Sequence, residues 1–75
     1  MVEEPQFRVV LRGYDRSPVD DLVEVVRVAA ASADPEVRAR TAEALRAVRL
    51  PVVLRGYDRS QVDAYLEQAA ATLAP

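Results

Sequence analysis

The chain has 75 residues, near the lower limit for a domain that folds alone, and its formal net charge at pH 7 is -2. Cysteine, histidine and lysine are absent, so the sequence offers no disulfide, no thiolate, no imidazole base and no Schiff-base amine. The negative net charge argues against general nucleic-acid binding, which normally needs a basic face. We therefore expect one domain over residues 1–75 that is not an enzyme and uses no metal and no cofactor.

Two further features of the composition bear on the compartment. The sequence has no apolar run of about 18 residues, the length that spans a bilayer, and its first residues lack the basic and apolar regions of a secretory signal. All basic residues are Arg, and Ala and Val are the commonest residues, a bias typical of GC-rich bacterial genomes. The sequence therefore predicts a bacterial, cytoplasmic protein.

The strongest feature of the sequence is an internal repeat. Residues 9–17 read VVLRGYDRS, and residues 52–60 are identical to them, 43 positions further along. The matches continue at Val19 with Val62, Asp20 with Asp63 and Glu24 with Glu67. The repeat predicts two copies of one unit, an extended segment and loop that lead into a helix, with repeat one at 7–33 and repeat two at 50–74.

The first repeat begins with an apolar extended segment. Gly13 follows it, in a turn that we expect to need a positive φ or a close backbone approach. Apolar residues then recur with helical spacing at Val19, Leu22, Val23, Val26, Ala29 and Ala30. Because Val25 and Val28 widen this apolar stripe, the helix is expected to be either the central helix of the monomer or half of a dimer seam, and we favour the central position.

A middle helix is predicted over residues 35–49. Asp34 is placed to cap it, Pro35 suits the first helical position, and Pro51 ends the helix at about Arg49. Glu36 can pair with Arg40 one turn later. The predicted buried stripe consists of Val37, Thr41, Ala44, Leu45 and Val48.

The second repeat has the clearer helix signal. Gly56 takes the place of Gly13, and the apolar stripe runs through Val62, Tyr65, Leu66, Ala69, Ala70 and Leu73. Asp15 and Asp58 are candidate helix caps, and Gln61 completes a capping box with Asp58. The alternative caps are Ser17 and Ser60.

Taken together, these elements predict an all-α fold, a compact three-helix unit with two repeated extended-loop-helix motifs. The core of so short a chain is marginal, so a homodimer is one way in which the fold could gain stability.

The repeated motif has a defined order of residues. Phe7 is followed by Arg-Gly-Tyr-Asp at residues 12–15 and by Val-Asp at residues 19–20, and the second copy adds an aromatic-Leu pair at residues 65–66. This order resembles the N-terminal signature of the DivIVA family of bacterial cell-division and polar-growth proteins, over about two-thirds of the chain. The resemblance implies a non-enzymatic scaffold or adaptor that binds protein partners at the inner face of the membrane, at the septum or pole.

The resemblance also implies a groove beside each repeat helix that binds an Arg-containing segment of a partner. Its residues on this sequence would be Tyr14, Asp20, Glu24, Tyr57, Asp63 and Glu67. The i,i+4 spacing puts each Asp and Glu on one helix face, and two carboxylates beside an aromatic ring suit a guanidinium group. The alternative is internal, with Arg12, Arg16, Arg55 or Arg59 pairing with these carboxylates.

A peripheral membrane contact is implied at the loop tips, Leu11 with Arg12 and Leu54 with Arg55, although the family usually has Phe where this chain has Leu. One inserted Leu contributes about 1–2 kcal/mol and an Arg near anionic lipid about 1 kcal/mol, so binding by a single chain would be marginal. The alternative, which we favour, is that the two leucines pack within the fold.

Two other interpretations remain open. A small helical nucleic-acid-associated protein could use the arginines of the middle helix, Arg38, Arg40, Arg46 and Arg49, against phosphate, although Glu36 and Glu43 lie among them. The third interpretation is a structural dimer that binds no further partner.

Overall fold

The computed structural model describes residues 5–74 of the chain, so residues 1–4 and 75 of the predicted domain lie outside the described part. The elements in chain order are β1 (Val9–Tyr14), α1 (Arg16–Ala31), α2 (Pro35–Ala47), β2 (Val52–Tyr57) and α3 (Arg59–Leu73). Both repeats thus contain a strand and a helix, and α2 forms the middle helix, ending two residues before the predicted boundary.

The two extended segments pair with each other as a two-stranded sheet. The paired residues run from Val9 with Tyr57 to Tyr14 with Val52, so the residue numbers in β2 fall as those in β1 rise. The strands are therefore antiparallel over this register. One additional pair, Tyr14 with Tyr57, departs from this register. It joins the last residue of each strand, as a parallel pairing would.

The predicted all-α fold is therefore wrong, because 17% of the described residues form the sheet and the fold class is α+β. The extended conformation of both segments was expected. Their pairing was not, because the two strands lie 43 residues apart in the sequence and no turn signal connects them.

The two strands approach most closely at their glycines. A β-carbon on Gly13 would lie 2.3 Å from the carbonyl carbon of Gly56, and one on Gly56 would lie 2.1 Å from the carbonyl oxygen of Tyr14. Neither glycine has a positive φ; the residue of the described chain that does is Arg12, at 57°. The close backbone approach, one of the two predicted reasons for these glycines, is the one that the structure shows.

An approximate two-fold symmetry relates the two repeats. The backbone N–H of Asp15 donates to the Pro51 carbonyl over 2.9 Å, and the N–H of Asp58 donates to the Arg8 carbonyl over 2.8 Å. Because Arg8 and Pro51 occupy equivalent positions of the repeat, each repeat binds the other through the same backbone groups.

Helix α3 contributes the largest share of the buried core. Its buried residues are Val62, Leu66, Ala69, Ala70 and Leu73, as the predicted stripe required. Helix α1 buries Val19, Val26 and Ala29, also within its predicted stripe.

The prediction that α1 is central is wrong, because α2 packs mainly against α3 and leaves Val25 46% and Val28 55% exposed. A dimer seam along α1 stays a prediction.

The buried face of α2 is rotated from the predicted one. Ala42 and Leu45 are buried, whereas Val37 is 41% exposed and Ala44 is also exposed. Arg38 lies on the inward side instead. Its guanidinium donates to the Ala30 carbonyl and to the Thr72 carbonyl, each over 3.2 Å, and so joins the last turns of α1 and α3. The sequence prediction missed this role because an Arg in an amphipathic helix is normally solvent-exposed.

The helix caps differ between the repeats. The Asp58 carboxylate accepts from the backbone N–H of Ser60 and of Gln61, as predicted for a cap. The reciprocal half of the capping box is absent, because the Gln61 side chain accepts from the N–H of Arg8 in the other repeat. The prediction for Asp15 is wrong, since its side chain makes no cap hydrogen bond. Asp34 caps α2 through Glu36, and Pro35 stands at its start, as predicted.

Within residues 5–74, none of the helices combines the length and the apolar character needed to cross a bilayer.

Candidate functional site

The predicted groove residues come together across the two repeats. The hydroxyl of Tyr14, from repeat one, donates to Asp63 Oδ1, from repeat two, over 2.7 Å. In the equivalent contact of the other repeat, the hydroxyl of Tyr57 donates to Asp20 Oδ1 over 2.8 Å. Each groove is therefore built from the Tyr of one repeat and the carboxylates of the other.

The first of these surfaces, which we call the Tyr14 groove, is a cavity of about 480 Å³. It is lined by Tyr14, Leu45, Arg46, Val48, Leu50, Asp63, Leu66, Glu67 and Ala71. Its lining mixes apolar and charged side chains, and its two carboxylates, Asp63 and Glu67, lie one turn apart on α3. Arg46 also lines it, and this Arg makes no ion pair with any residue of the described chain.

The second surface, which we call the Tyr57 groove, has a similar volume of about 530 Å³ but a different lining. Its residues are Pro5, Gln6, Phe7, Asp20, Val23, Glu24 and Tyr57. Phe7 packs its ring against Tyr57, with the ring centroids 5.3 Å apart, and against Tyr65. The helix α2 takes no part in this groove, since it packs mainly on α3.

The hydrogen bonds to carboxylates change the titration of both tyrosines. The pKa of Tyr14 is raised above its ordinary value, mainly by the hydrogen bond to Asp63 and further by burial and by the charge of that carboxylate, with Arg59 opposing. The pKa of Tyr57 is raised in the same way by Asp20, with Arg16 opposing. Both tyrosines thus stay protonated donors at neutral pH, and neither is poised as a base.

The internal arrangement considered from the sequence is not the one observed. Arg12, Arg16, Arg55 and Arg59 form no ion pair with Asp20, Glu24, Asp63 or Glu67 in the described part of the chain. The two aspartates are held by tyrosine hydroxyls instead. This role was missed because the sequence does not show which Tyr faces which helix.

The two glutamates of the grooves differ. Glu24 accepts from Arg27 Nε over 3.0 Å and also from Nη2 of the same guanidinium, a bidentate contact within α1 that lowers the pKa of Glu24. Glu67 has no hydrogen bond and no ion pair with any residue between 5 and 74. The carboxylate of Glu67 is therefore available to an outside cation, and that of Glu24 is already satisfied.

The loop tips also lie next to each other. Leu11 pairs with Arg55 in the sheet, and Arg12 and Leu54 lie between this pair and the pair of Gly13 with Val53. We call Leu11, Arg12, Leu54 and Arg55 the tip patch. Leu11 is 68% and Leu54 is 75% exposed, so the prediction that these leucines pack within the fold is wrong. The antiparallel register brings both tips to one place on the surface, which the sequence did not show.

Several lining residues of the Tyr14 groove were not predicted as part of a site. Leu45, Val48 and Leu50 come from the end of α2 and from the segment that follows it. Leu45 and Val48 were assigned to the core stripe of α2, and nothing in their spacing indicates that they also border a cavity.

No family model matches the sequence, and neither the curated proteins nor the solved structures compared with it give a match. The resemblance to the DivIVA family therefore rests on the motif residues alone.

Proposed function

We propose that the chain is a non-enzymatic, DivIVA-like interaction module that binds a protein partner through an arginine side chain in the Tyr14 groove. The observation that carries this proposal is the pair of carboxylates on α3, Asp63 and Glu67, which line one cavity together with Tyr14. No Arg between residues 5 and 74 forms an ion pair with Glu67.

The chemistry of the groove matches an arginine better than a lysine. A guanidinium can donate to two carboxylates at once in a fixed planar geometry, whereas an ammonium is a point donor. The apolar residues Leu45, Val48 and Leu50 offer contacts for the aliphatic stem of the same side chain.

A binding assay with synthetic peptides tests the proposal. The probes are a short labelled peptide with one central Arg and the same peptide with Lys at that position, and fluorescence anisotropy reports binding. The Arg peptide is expected to bind more tightly than the Lys peptide, and Glu67→Gln is expected to weaken it about tenfold or more, the loss of one charge-assisted hydrogen bond. Equal binding of both peptides, or an unchanged affinity in Glu67→Gln, would contradict the proposal.

The matched control for this assay is Glu43→Gln. Glu43 is an exposed carboxylate on α2 that does not line the Tyr14 groove. This control changes the net charge by the same amount as Glu67→Gln, so it separates a contact in the groove from a general attraction between the acidic chain and a basic peptide.

The cellular role proposed for the module is an adaptor in bacterial cell division or polar growth, in the cytoplasm at the septum or pole. A fluorescent fusion in a rod-shaped bacterium of high genomic GC content tests it. The wild-type chain is expected to concentrate at septa or poles and Glu67→Gln to become diffuse. A diffuse signal for the wild-type chain would remove the support for this role.

A second candidate function, contact with an anionic membrane, is favoured by the tip patch. Two exposed leucines next to two arginines combine apolar insertion with attraction to anionic headgroups. Sedimentation with phosphatidylcholine vesicles, with and without phosphatidylglycerol, tests it. Weak binding that needs the anionic lipid and is lost in Leu54→Glu is expected, and equal recovery of both variants in the pellet would refute it.

The structure gives less support to the interpretation that the chain binds nucleic acid. Arg38 donates to two backbone carbonyls, and Arg40 is paired with Glu36, the ion pair that the sequence predicted. Half of the arginines considered for phosphate contact are therefore engaged within the fold. Random duplex DNA is expected to give no mobility shift at physiological salt.

A further inference from the structure

We infer that the Tyr14 groove recognises an arginine together with a neighbouring carboxylate of the same partner, and that Arg46 is the residue that binds this carboxylate. The inference rests on the proposed function and deepens it, because it adds an acidic group to the arginine that the groove takes. The partner segment is thus expected to carry both charges, rather than to be basic along its whole length.

The charged side chains that line the groove come from two helices. Asp63 and Glu67 lie on α3, and Arg46 lies in the last turn of α2. Although all three line one cavity, Arg46 forms no ion pair with either carboxylate, nor with any other residue between 5 and 74. The groove therefore presents negative groups from one helix and a positive group from another, without an ion pair between them.

These groups have hydrogen-bonding capacity that the described residues do not use. The hydroxyl of Tyr14 donates to Oδ1 of Asp63, which leaves Oδ2 of that carboxylate without a donor from the described chain. The guanidinium of Arg46 carries several N–H donors, and none of them donates to a described residue. A carboxylate can accept two parallel hydrogen bonds from such a group. A ligand with one guanidinium and one carboxylate would therefore supply the missing partner on both sides.

The charge of Arg46 also sets which partners are disfavoured. Apolar side chains of the lining, such as Leu45 and Leu66, offer contact to the aliphatic stem of a bound arginine. A second cation of the ligand near Arg46 would be repelled, and an anion in the same place would be attracted. Because specificity is a difference between affinities, this one positive charge selects against a uniformly basic segment.

The Tyr57 groove has no counterpart of Arg46. Its lining includes Asp20 and Glu24 but no arginine among the residues that the structure describes. The reason is that α2 occurs once, between the two repeats, and packs mainly on α3. The preference for an acidic neighbour is therefore a property of the Tyr14 groove alone.

Fluorescence anisotropy with the full chain and matched labelled peptides tests the inference. One pair of peptides carries Arg-Ala-Asp or Arg-Ala-Asn at its centre, because residues two apart in an extended peptide point to the same side. A second pair carries the reverse order, Asp-Ala-Arg or Asn-Ala-Arg. In the wild type, the Asp peptide of at least one pair is expected to bind about threefold more tightly than its Asn counterpart, the size of an exposed ion pair. In Arg46→Ala the preference is expected to reverse, because Asp63 and Glu67 then repel the acidic peptide.

The matched control is Arg40→Ala, which removes the same charge from a position of α2 that does not line the groove. This variant is expected to keep the wild-type preference for Asp, and Arg46→Lys, which keeps the charge, is expected to keep part of it. The preference is a ratio measured within each variant, so a general change in folding or affinity does not alter it. An equal loss of preference in Arg40→Ala and Arg46→Ala would show a general charge effect and overturn the inference.

The outcomes separate the inference from the proposed function. If the Arg peptides bind and Glu67→Gln weakens them, but Asp gives no preference in either order or the preference survives in Arg46→Ala, the role of Arg46 is overturned and the proposed function remains. If no Arg peptide binds the wild type, or if Glu67→Gln binds all of them as tightly as the wild type does, both are overturned.

Discussion

Gly13 and Gly56 meet backbone to backbone where the two repeats cross. A β-carbon built on Gly13 would lie 2.3 Å from both the carbonyl carbon and the carbonyl oxygen of Gly56. Distances this short are not relieved by rotating a side chain, because the atoms met belong to the backbone. The crossing therefore holds the two tyrosines that follow these glycines next to the helices of the opposite repeats.

Alanine at either glycine is expected to destabilise the fold strongly. Gly13→Ala or Gly56→Ala forces the strands apart, and we expect a loss of about 3 kcal/mol or more in the free energy of unfolding. Urea denaturation followed by circular dichroism measures it. Leu54→Ala, an exposed change on the same strand as Gly56, is the control and is expected to stay within about 0.5 kcal/mol. A stable Gly13→Ala variant would show that the strands do not cross this closely.

The hydrogen bonds between the repeats are expected to contribute measurably to stability. Tyr14→Phe and Tyr57→Phe each remove one hydroxyl that donates to a carboxylate, at a cost of about 1 kcal/mol, since both sites are partly exposed. Tyr65→Phe is the matched control. Its hydroxyl is buried and has no hydrogen-bond partner among the described residues, so its removal should be neutral or stabilising. A loss in Tyr65→Phe as large as in the other two would contradict this assignment.

The same tyrosines predict a loss of stability at alkaline pH. Their pKa values are raised in the fold, so the unfolded chain releases these protons first as the pH rises. The stabilisation is complete below the ordinary tyrosine pKa of 10.0 and is lost as the pH rises through the higher folded pKa values. Unfolding free energies at a series of pH values around 10 should fall less steeply for the double variant Tyr14→Phe with Tyr57→Phe. Parallel profiles for the two proteins would refute the prediction.

We expect Arg38 to contribute to the stability of the fold, although its side chain is charged. Arg38→Met removes the two donors that join the carbonyls of Ala30 and Thr72, and we expect a loss of about 1–2 kcal/mol. Arg40→Met breaks an exposed ion pair with Glu36 and is expected to cost less than about 0.5 kcal/mol. Thermal unfolding of the two variants under the same conditions makes the comparison, and equal losses would show that the bridge made by Arg38 contributes nothing.

Arg46 is expected to weaken the binding of a cationic ligand. It lines the Tyr14 groove and brings a positive charge near Asp63 and Glu67. Arg46→Ala should therefore raise the affinity for the Arg peptide by about twofold to threefold at low salt, and the gain should shrink as salt screens the charges. Anisotropy titrations at two salt concentrations test this. A loss of affinity in Arg46→Ala would mean that Arg46 contacts the ligand favourably.

The residues of the candidate site could be predicted from the sequence. The sequence did not show which tyrosine lies beside which pair of carboxylates. The i,i+4 spacing placed Asp20 with Glu24 and Asp63 with Glu67 on helix faces, since a helix fixes the direction of side chains one turn apart. The tyrosine that completes each groove comes from the other repeat, and this choice depends on how the strands cross. Motif spacing within one repeat carries no information about that crossing.

The sequence by itself determined the repeat, the three helices and the buried faces of α1 and α3. Local spacing of apolar residues specifies α3 and its inward side, and the repeat extends the same assignment to α1, whose Val-rich run alone is also compatible with a strand. Only the tertiary structure decided that the lead-in segments form a sheet, that α2 turns Arg38 inward, and that Glu67 is left open while Glu24 is paired. These features depend on contacts between residues far apart in the chain, and such contacts are set by the packing of whole elements.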